Sequence, residues 1–126
     1  MRFLVDQNIG ERFAKGMKSF GEEVEYLGDH YPLNISDKDL LADIGEKGWV
    51  LISREKEIRY KPAEKAAFVK HSNGAFLLSG KKLSGCKIIQ QLVRNWHRIK
   101  EKADNTRKPF IYCIPPNGTK IRKIAL

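Results

Sequence analysis

An α/β fold with a mainly parallel sheet and helices on both faces is predicted by three observations. Short apolar runs alternate with longer stretches in which apolar residues recur every three or four positions. Glycine, proline and polar clusters punctuate the alternation, and an Asn-Gly dipeptide near the C-terminus separates the last two runs as a hairpin turn would. Strand and helix in strict alternation bring each new strand in parallel to the last, which buries both faces of the sheet.

Residues 2–5 are short and apolar and stop at a polar cluster, as a buried strand does. In residues 9–20, Ile9, Phe13, Met17 and Phe20 follow at helical spacing, and Gly21 closes that amphipathic helix. Residues 24–27 form a second strand. Beyond the loop Gly28-Asp29-His30-Tyr31-Pro32, Ser36 is a helix N-cap, and Asp37 and Asp39 fall in the first turn, where carboxylates suit the helix dipole. Leu40, Leu41 and Ile44 make that helix's apolar face and Gly48 ends it. Trp49-Val50-Leu51-Ile52-Ser53 is a third strand, followed by the polar run Arg54-Glu55-Lys56-Glu57. Pro62 opens a helix reaching Lys70, residues 75–78 give a fourth strand, and residues 84–102 a long helix with Ile88, Ile89, Leu92, Val93, Trp96 and Ile99 on one side. Residues 110–114 and 121–125 flank Pro115-Pro116-Asn117-Gly118 as the arms of the hairpin.

A length of 126 residues fits one domain spanning 1–126, large enough for a core that needs no staples. The N-terminal apolar run meets Asp6 too early for a signal peptide or a membrane span, so a cytoplasmic protein without a membrane partner is expected. Cys86 and Cys113 stand far apart without zinc spacing and are expected to be buried small hydrophobes.

The net charge of +9 is unevenly distributed. Residues 1–80 carry 12 Lys and Arg against 13 Asp and Glu, a balance of −1, whereas residues 81–126 carry 12 against only Glu101 and Asp104, a balance of +10. A basic final third predicts a polyanion-binding face, with a solvated helix surface as the plainer alternative.

Ligands of open α/β sheets bind at the carboxyl ends of the strands. Asp6 follows the first strand, Glu55 follows the third, and Asp37 and Asp39 open the helix after the second. Carboxylates that converge without balancing cations suit a hard divalent ion, Mg²⁺ or Mn²⁺, and with it phosphodiester hydrolysis. Each acid also has an ordinary role: Asp37 and Asp39 as first-turn helix residues, Asp6 as the cap of the first helix, and Glu55 and Glu57 as solvated loop charges. Neither a phosphate-binding Gly-rich loop nor the paired acids of a receiver domain is present. His30, His71 and His97 are scattered without metal spacing.

Phe3-Leu4-Val5-Asp6-Gln7-Asn8, the segment Ser36-Asp37-Lys38-Asp39 ahead of Gly48-Trp49-Val50, and Leu51-Ile52-Ser53-Arg54-Glu55-Lys56 together resemble PIN-domain proteins, in particular the compact PIN-like branch related to VapC-type toxins. The similarity continues through Ile58-Arg59-Tyr60-Lys61-Pro62-Ala63-Glu64 to Phe76-Leu77-Leu78, and Pro109-Phe110-Ile111-Tyr112 is similar to the family's last strand. The resemblance implies a PIN-like three-layer sandwich and a metal-dependent ribonuclease acting on RNA, commonly the toxin of a type II pair with a cognate antitoxin and often a homodimer. Carried over residue by residue, it makes Asp6, Asp37 and Glu55 catalytic. Asp6, Asp37, Asp39 and Glu55 become the ligands of Mg²⁺ or Mn²⁺, with Asn8 beside the first acid and Ser53 holding its neighbours in place. Glu55 stands where the family carries Asp, one methylene longer. Arg94, Arg98, Lys100, Arg107 and Lys108 are the expected nucleic-acid contacts from the basic third. An inactive PIN-like interaction module and a DNA-processing nuclease of the same fold are the alternatives.

Overall fold

Strands β1 (Phe3–Val5), β2 (Val24–Tyr26), β3 (Val50–Arg54), β4 (Gly74–Leu78), β5 (Phe110–Ile114) and β6 (Arg122–Ile124) alternate with helices α1 (Glu11–Ser19), α2 (Asp37–Lys47), α3 (Pro62–Lys70) and α4 (Gly85–Asn105). The computed structural model describes residues 1–54 and 61–126. The strands form one sheet in the order β2-β1-β3-β4-β5-β6, parallel from β2 to β5 and antiparallel at β6. This is the α/β architecture expected, with the hairpin at its predicted place. Ser36 caps α2 by accepting the Asp39 N–H at 3.1 Å, and Gly48 closes that helix in the left-handed conformation at φ 74°.

Strand side chains alternate between the two faces and bury both. Phe3, Val5, Phe76 and Phe110 face α1 and α4, where they meet Phe13, Leu92, Trp96 and Ile99. Leu4, Leu51, Ala75 and Leu77 face α2 and α3, where they meet Leu41, Ile44 and Phe68. The Trp96 ring lies 5.1 Å from that of Phe3 and 6.0 Å from that of Phe13. Its indole N–H donates to Glu22 Oε1 at 2.6 Å, and Lys100 Nζ lies 2.8 Å from the same oxygen. A long aromatic is thus buried without an unpaired donor, and α4 is tied to the turn between α1 and β2.

Four apolar expectations are corrected. Phe20 is 86% exposed because α1 ends one residue earlier and the chain turns away at Gly21. Ile89 and Val93 are 41% and 53% exposed, since Ile88, Leu92 and Ile99 occupy the core-facing seam of α4 and leave its α1-side flank uncovered. Cys86, three residues before Ile89, is exposed on the same flank, whereas Cys113 in β5 is buried as expected. The helix runs to Asn105, because Ala103 continues the buried seam past residue 102.

Sequence periodicity also missed two buried amides. Gln91 Nε2 donates to the carbonyls of Pro115 at 2.7 Å and Gly118 at 2.9 Å, and Asn95 Nδ2 donates to that of Gly118 at 3.2 Å. They fasten the hairpin turn to α4. Among the described residues no helix is long and apolar enough to cross a membrane.

Gly45 shows how closely α2 approaches the end of α3: a Cβ there would lie 2.4 Å from the His71 carbonyl oxygen. Gly45→Ala, which should stabilise an isolated helix, is therefore expected to destabilise this protein by about 1–3 kcal/mol, seen as a lower urea midpoint at unchanged slope. The Glu22 carboxyl is held below its ordinary value of 4.5 by its hydrogen bonds from Lys100 and Trp96. A depressed acid contributes stability above its unfolded pKa that is lost as pH falls through its folded pKa. Glu22→Gln should flatten the decline in stability below pH 4.5; acid-unfolding curves that superimpose on wild type would disprove the contribution.

Candidate active site

The strand order reverses between β1 and β3: from β1 the chain crosses outward to β2, then returns past β1 to β3. In open α/β sheets such a switch point leaves a crevice at the carboxyl ends of the strands. Asp6 stands there, one residue beyond β1 and only 2% exposed. Its N–H donates to the Ile52 carbonyl at 3.0 Å, extending the β1–β3 pairing by one step.

The Asp6 side chain does not cap α1, whose N-cap is Gly10. Asp6 Oδ1 instead accepts the Gln7 N–H at 2.7 Å, and Oδ2 accepts the Ser53 hydroxyl at 3.0 Å. Ser53, fully buried near the end of β3, also lies 3.2 Å from Asn8 Oδ1, which accepts the Arg54 N–H at 3.2 Å. One proton serves two acceptors, so Ser53 bridges Asp6 and Asn8 by donating to either. The result is a shelf of oxygen acceptors, Asp6 and Asn8, just beyond β1 and joined to the end of β3 through Ser53.

The crossover through α2 puts the N-terminus of that helix at the same carboxyl edge, and Asp37 is its first residue, half-buried. Asp39 is exposed and lines a surface groove with Asp43, Glu46, Lys70 and His71 between α2 and the end of α3. Glu55, with Glu57 and the segment Ile58-Arg59-Tyr60, lies outside the described residues. Among the described residues no three His, Cys, Asp or Glu side chains gather closely enough to hold a metal ion. Asp6 and Asn8 are thus brought together with Ser53, while Asp39 faces a different groove.

Arg54 is the site residue to which sequence reasoning gave no role, although it directly precedes Glu55 at a strand end. Its guanidinium donates to the Gly80 carbonyl beyond β4, and its Nε is buried with no partner among the described residues. Its side chain leaves β3 on the β4 side, away from β1 and Asp6. The expected nucleic-acid contacts separate into three places. Arg94 and Arg98 are exposed on α4, and Lys100 turns to Glu22. Exposed Arg107 and half-buried Lys108 precede β5 at the opposite edge of the sheet, where Lys108 Nζ donates to the Gly48 carbonyl at 2.8 Å and burial holds its pKa below the ordinary lysine value. His97 is solvent-exposed near Glu101.

A doubly wound sheet with a buried carboxylate at its switch point defines the class: an α/β domain with an acidic centre at the carboxyl edge. Within it, a protein-family model described as a PIN-like domain matches residues 1–80, and the chain belongs to the PIN-like domain family. Domains of this family are generally nucleases and usually use divalent metal ions. The matched stretch ends beyond β4, so α4, β5 and β6 lie outside it. No curated protein and no solved structure matches the chain.

Ser53→Ala removes a donor from a buried carboxylate, which costs about 1–3 kcal/mol. A lowered urea midpoint with the fold retained is the expected outcome, and an unchanged midpoint would show that the hydroxyl does not hold the shelf together.

Proposed function

We propose that the chain is a Mg²⁺- or Mn²⁺-dependent endoribonuclease that hydrolyses RNA phosphodiester bonds. The burial of Asp6 at the switch point, with Asn8 and Ser53 about it, carries this reading. The donor set fits the ion: it offers oxygens only, and Mg²⁺ characteristically takes one or two carboxylates and fills its shell with water and substrate phosphate. Asp37 from the start of α2 and Glu55 are the further acids proposed for the site, whereas Asp39 faces the groove with Asp43 and Glu46. A divalent ion held there supplies Lewis-acid chemistry, offsetting charge on the phosphoryl oxygens and easing ionisation of the attacking water. The chain's own contribution is orientation: Ser53 and the Gln7 N–H fix the plane of the Asp6 carboxylate.

Within this class the chain is proposed to be the toxin of a type II pair with a cognate antitoxin, because residues 1–80 are those that resemble the VapC-related branch. A catalytically inactive interaction module is the second reading, suggested by Glu55 standing where the family carries Asp.

Asp6→Asn preserves shape and removes the charge. Loss of Mn²⁺-dependent cleavage of single-stranded RNA by at least about a hundred-fold is expected, because a Lewis acid supplies several kcal/mol and each 1.36 kcal/mol is tenfold in rate. Single-stranded DNA and a flap substrate assayed alongside distinguish a DNA-processing enzyme. In a host cell, expression of wild type should arrest growth and degrade RNA while Asp6→Asn does neither; equal growth and equal RNA integrity would favour the inactive module.

A further inference from the structure

The flank of α4 that faces the hairpin is basic in a way that neither the acidic site nor the family match accounts for, since α4 and the hairpin lie beyond residues 1–80. Arg94, Arg98 and Lys102 follow at intervals of four, one above another on the helix. Like charges so stacked weaken a helix. Arg94 turns back along α4, its guanidinium donating to Gln91 Oε1 at 3.2 Å. Arg98 and Lys102 line a groove of about 460 Å³ whose other wall is Thr119, Lys120 and Ile121. Lys102 Nζ is held 5.1 Å from the centre of the Tyr112 ring. Glu101 also touches this groove, with its carboxylate 3.7 Å from His97 Nε2.

The groove is built before any ligand arrives, because the buried amides of Gln91 and Asn95 clamp the Pro115 and Gly118 carbonyls to α4. Cations on a rigid concave wall suit a chain of regularly spaced anions. From Arg94 to Lys102 the helix rises about 12 Å, room for roughly two nucleotide steps of an extended single strand at the chain's reach. We propose that this groove binds the phosphodiester backbone of single-stranded nucleic acid, with Arg98, Lys102 and Lys120 as the phosphate contacts and Arg94, one helical turn outside the lining, extending the row. The proposal deepens the nuclease reading and rests on it for the identity of the polyanion. A membrane surface fits less well, since the exposed apolar residues of α4, Ile89 and Val93, lie on the other flank.

Binding is measured with the full chain in chelator, so that the strand stays intact, by the anisotropy of short labelled oligouridylate and oligothymidylate over a series of salt concentrations. Each phosphate contact contributes about 0.7 to the slope of log affinity against log salt for single strands. Arg98→Ala, Lys102→Ala and Lys120→Ala should each weaken binding and reduce the slope by about that amount, while Lys70→Ala, an exposed lysine at the end of α3, changes neither. The oligonucleotide on which the three substitutions act identifies the backbone bound. Unchanged slopes for both, or binding to vesicles of acidic phospholipid with none to either oligonucleotide, would overturn the proposal. Cleavage is assayed separately with Mn²⁺: groove-dependent binding without cleavage would sink the hydrolase reading and leave the groove, and cleavage with unmoved salt slopes would do the reverse.

Discussion

A carboxylate withdrawn from water has to be met by donors, and Asp6 at the end of β1 is where this chain takes on that demand. The Gln7 N–H and Ser53 hydroxyl answer it, and Asn8 extends the network by accepting the Arg54 N–H. These bonds require β1 and β3 to be parallel neighbours in one register, with Val5 opposite Ile52. A slip by one residue would turn Ser53 to the other face of the sheet and leave the carboxylate buried without that donor.

The two faces of the sheet divide the remaining work. On the α2 and α3 side, the fully buried packing is aliphatic apart from Phe68, with half-buried Tyr31 and Trp49 against it, and close enough to require Gly45. On the α1 and α4 side, an aromatic cluster centred on Phe3, Phe76 and Trp96 fixes the long helix, with the Trp96–Glu22–Lys100 contact holding its outer flank. Burying Gln91 and Asn95 would be costly if their amide donors were idle, but each donates to turn carbonyls of the hairpin. That pairing converts a turn at the edge of the fold into a wall fixed against a basic helix, and it separates the cationic groove from the acidic shelf.

The elements were legible because each leaves a local mark: Ser36 as a cap, Gly48 as a stop, Asn117-Gly118 in the hairpin turn, Pro62 in a first turn. Asp6 was legible at the carboxyl edge because α/β topology sends strand ends there. Periodicity, however, states which residues share a side of a helix and not whether anything covers that side, so Ile89 and Val93 lie beside the buried seam of Ile88, Leu92, Trp96 and Ile99, while Cys86 is exposed although free cysteine is ordinarily packed. Phe20 was misassigned for the same reason, at the point where its helix stops. Arg54 received no role because an arginine at a strand end looks the same in sequence whether it is solvated or donates across to Gly80.

By itself, the sequence determined the α/β class, the order of elements, the hairpin, the family resemblance and the placing of Asp6 at a strand end, since propensity, capping and hydrophobic period are properties of a few neighbouring residues. Only the tertiary structure decided that Ser53 and Asn8 converge on Asp6, that Asp39 faces another groove, and that the basic third is split between the hairpin flank, the Glu22 contact and the opposite edge. Those outcomes depend on contacts between segments distant in the chain. The direction in which a charged side chain finally points is set by the surface it meets, which no local pattern encodes.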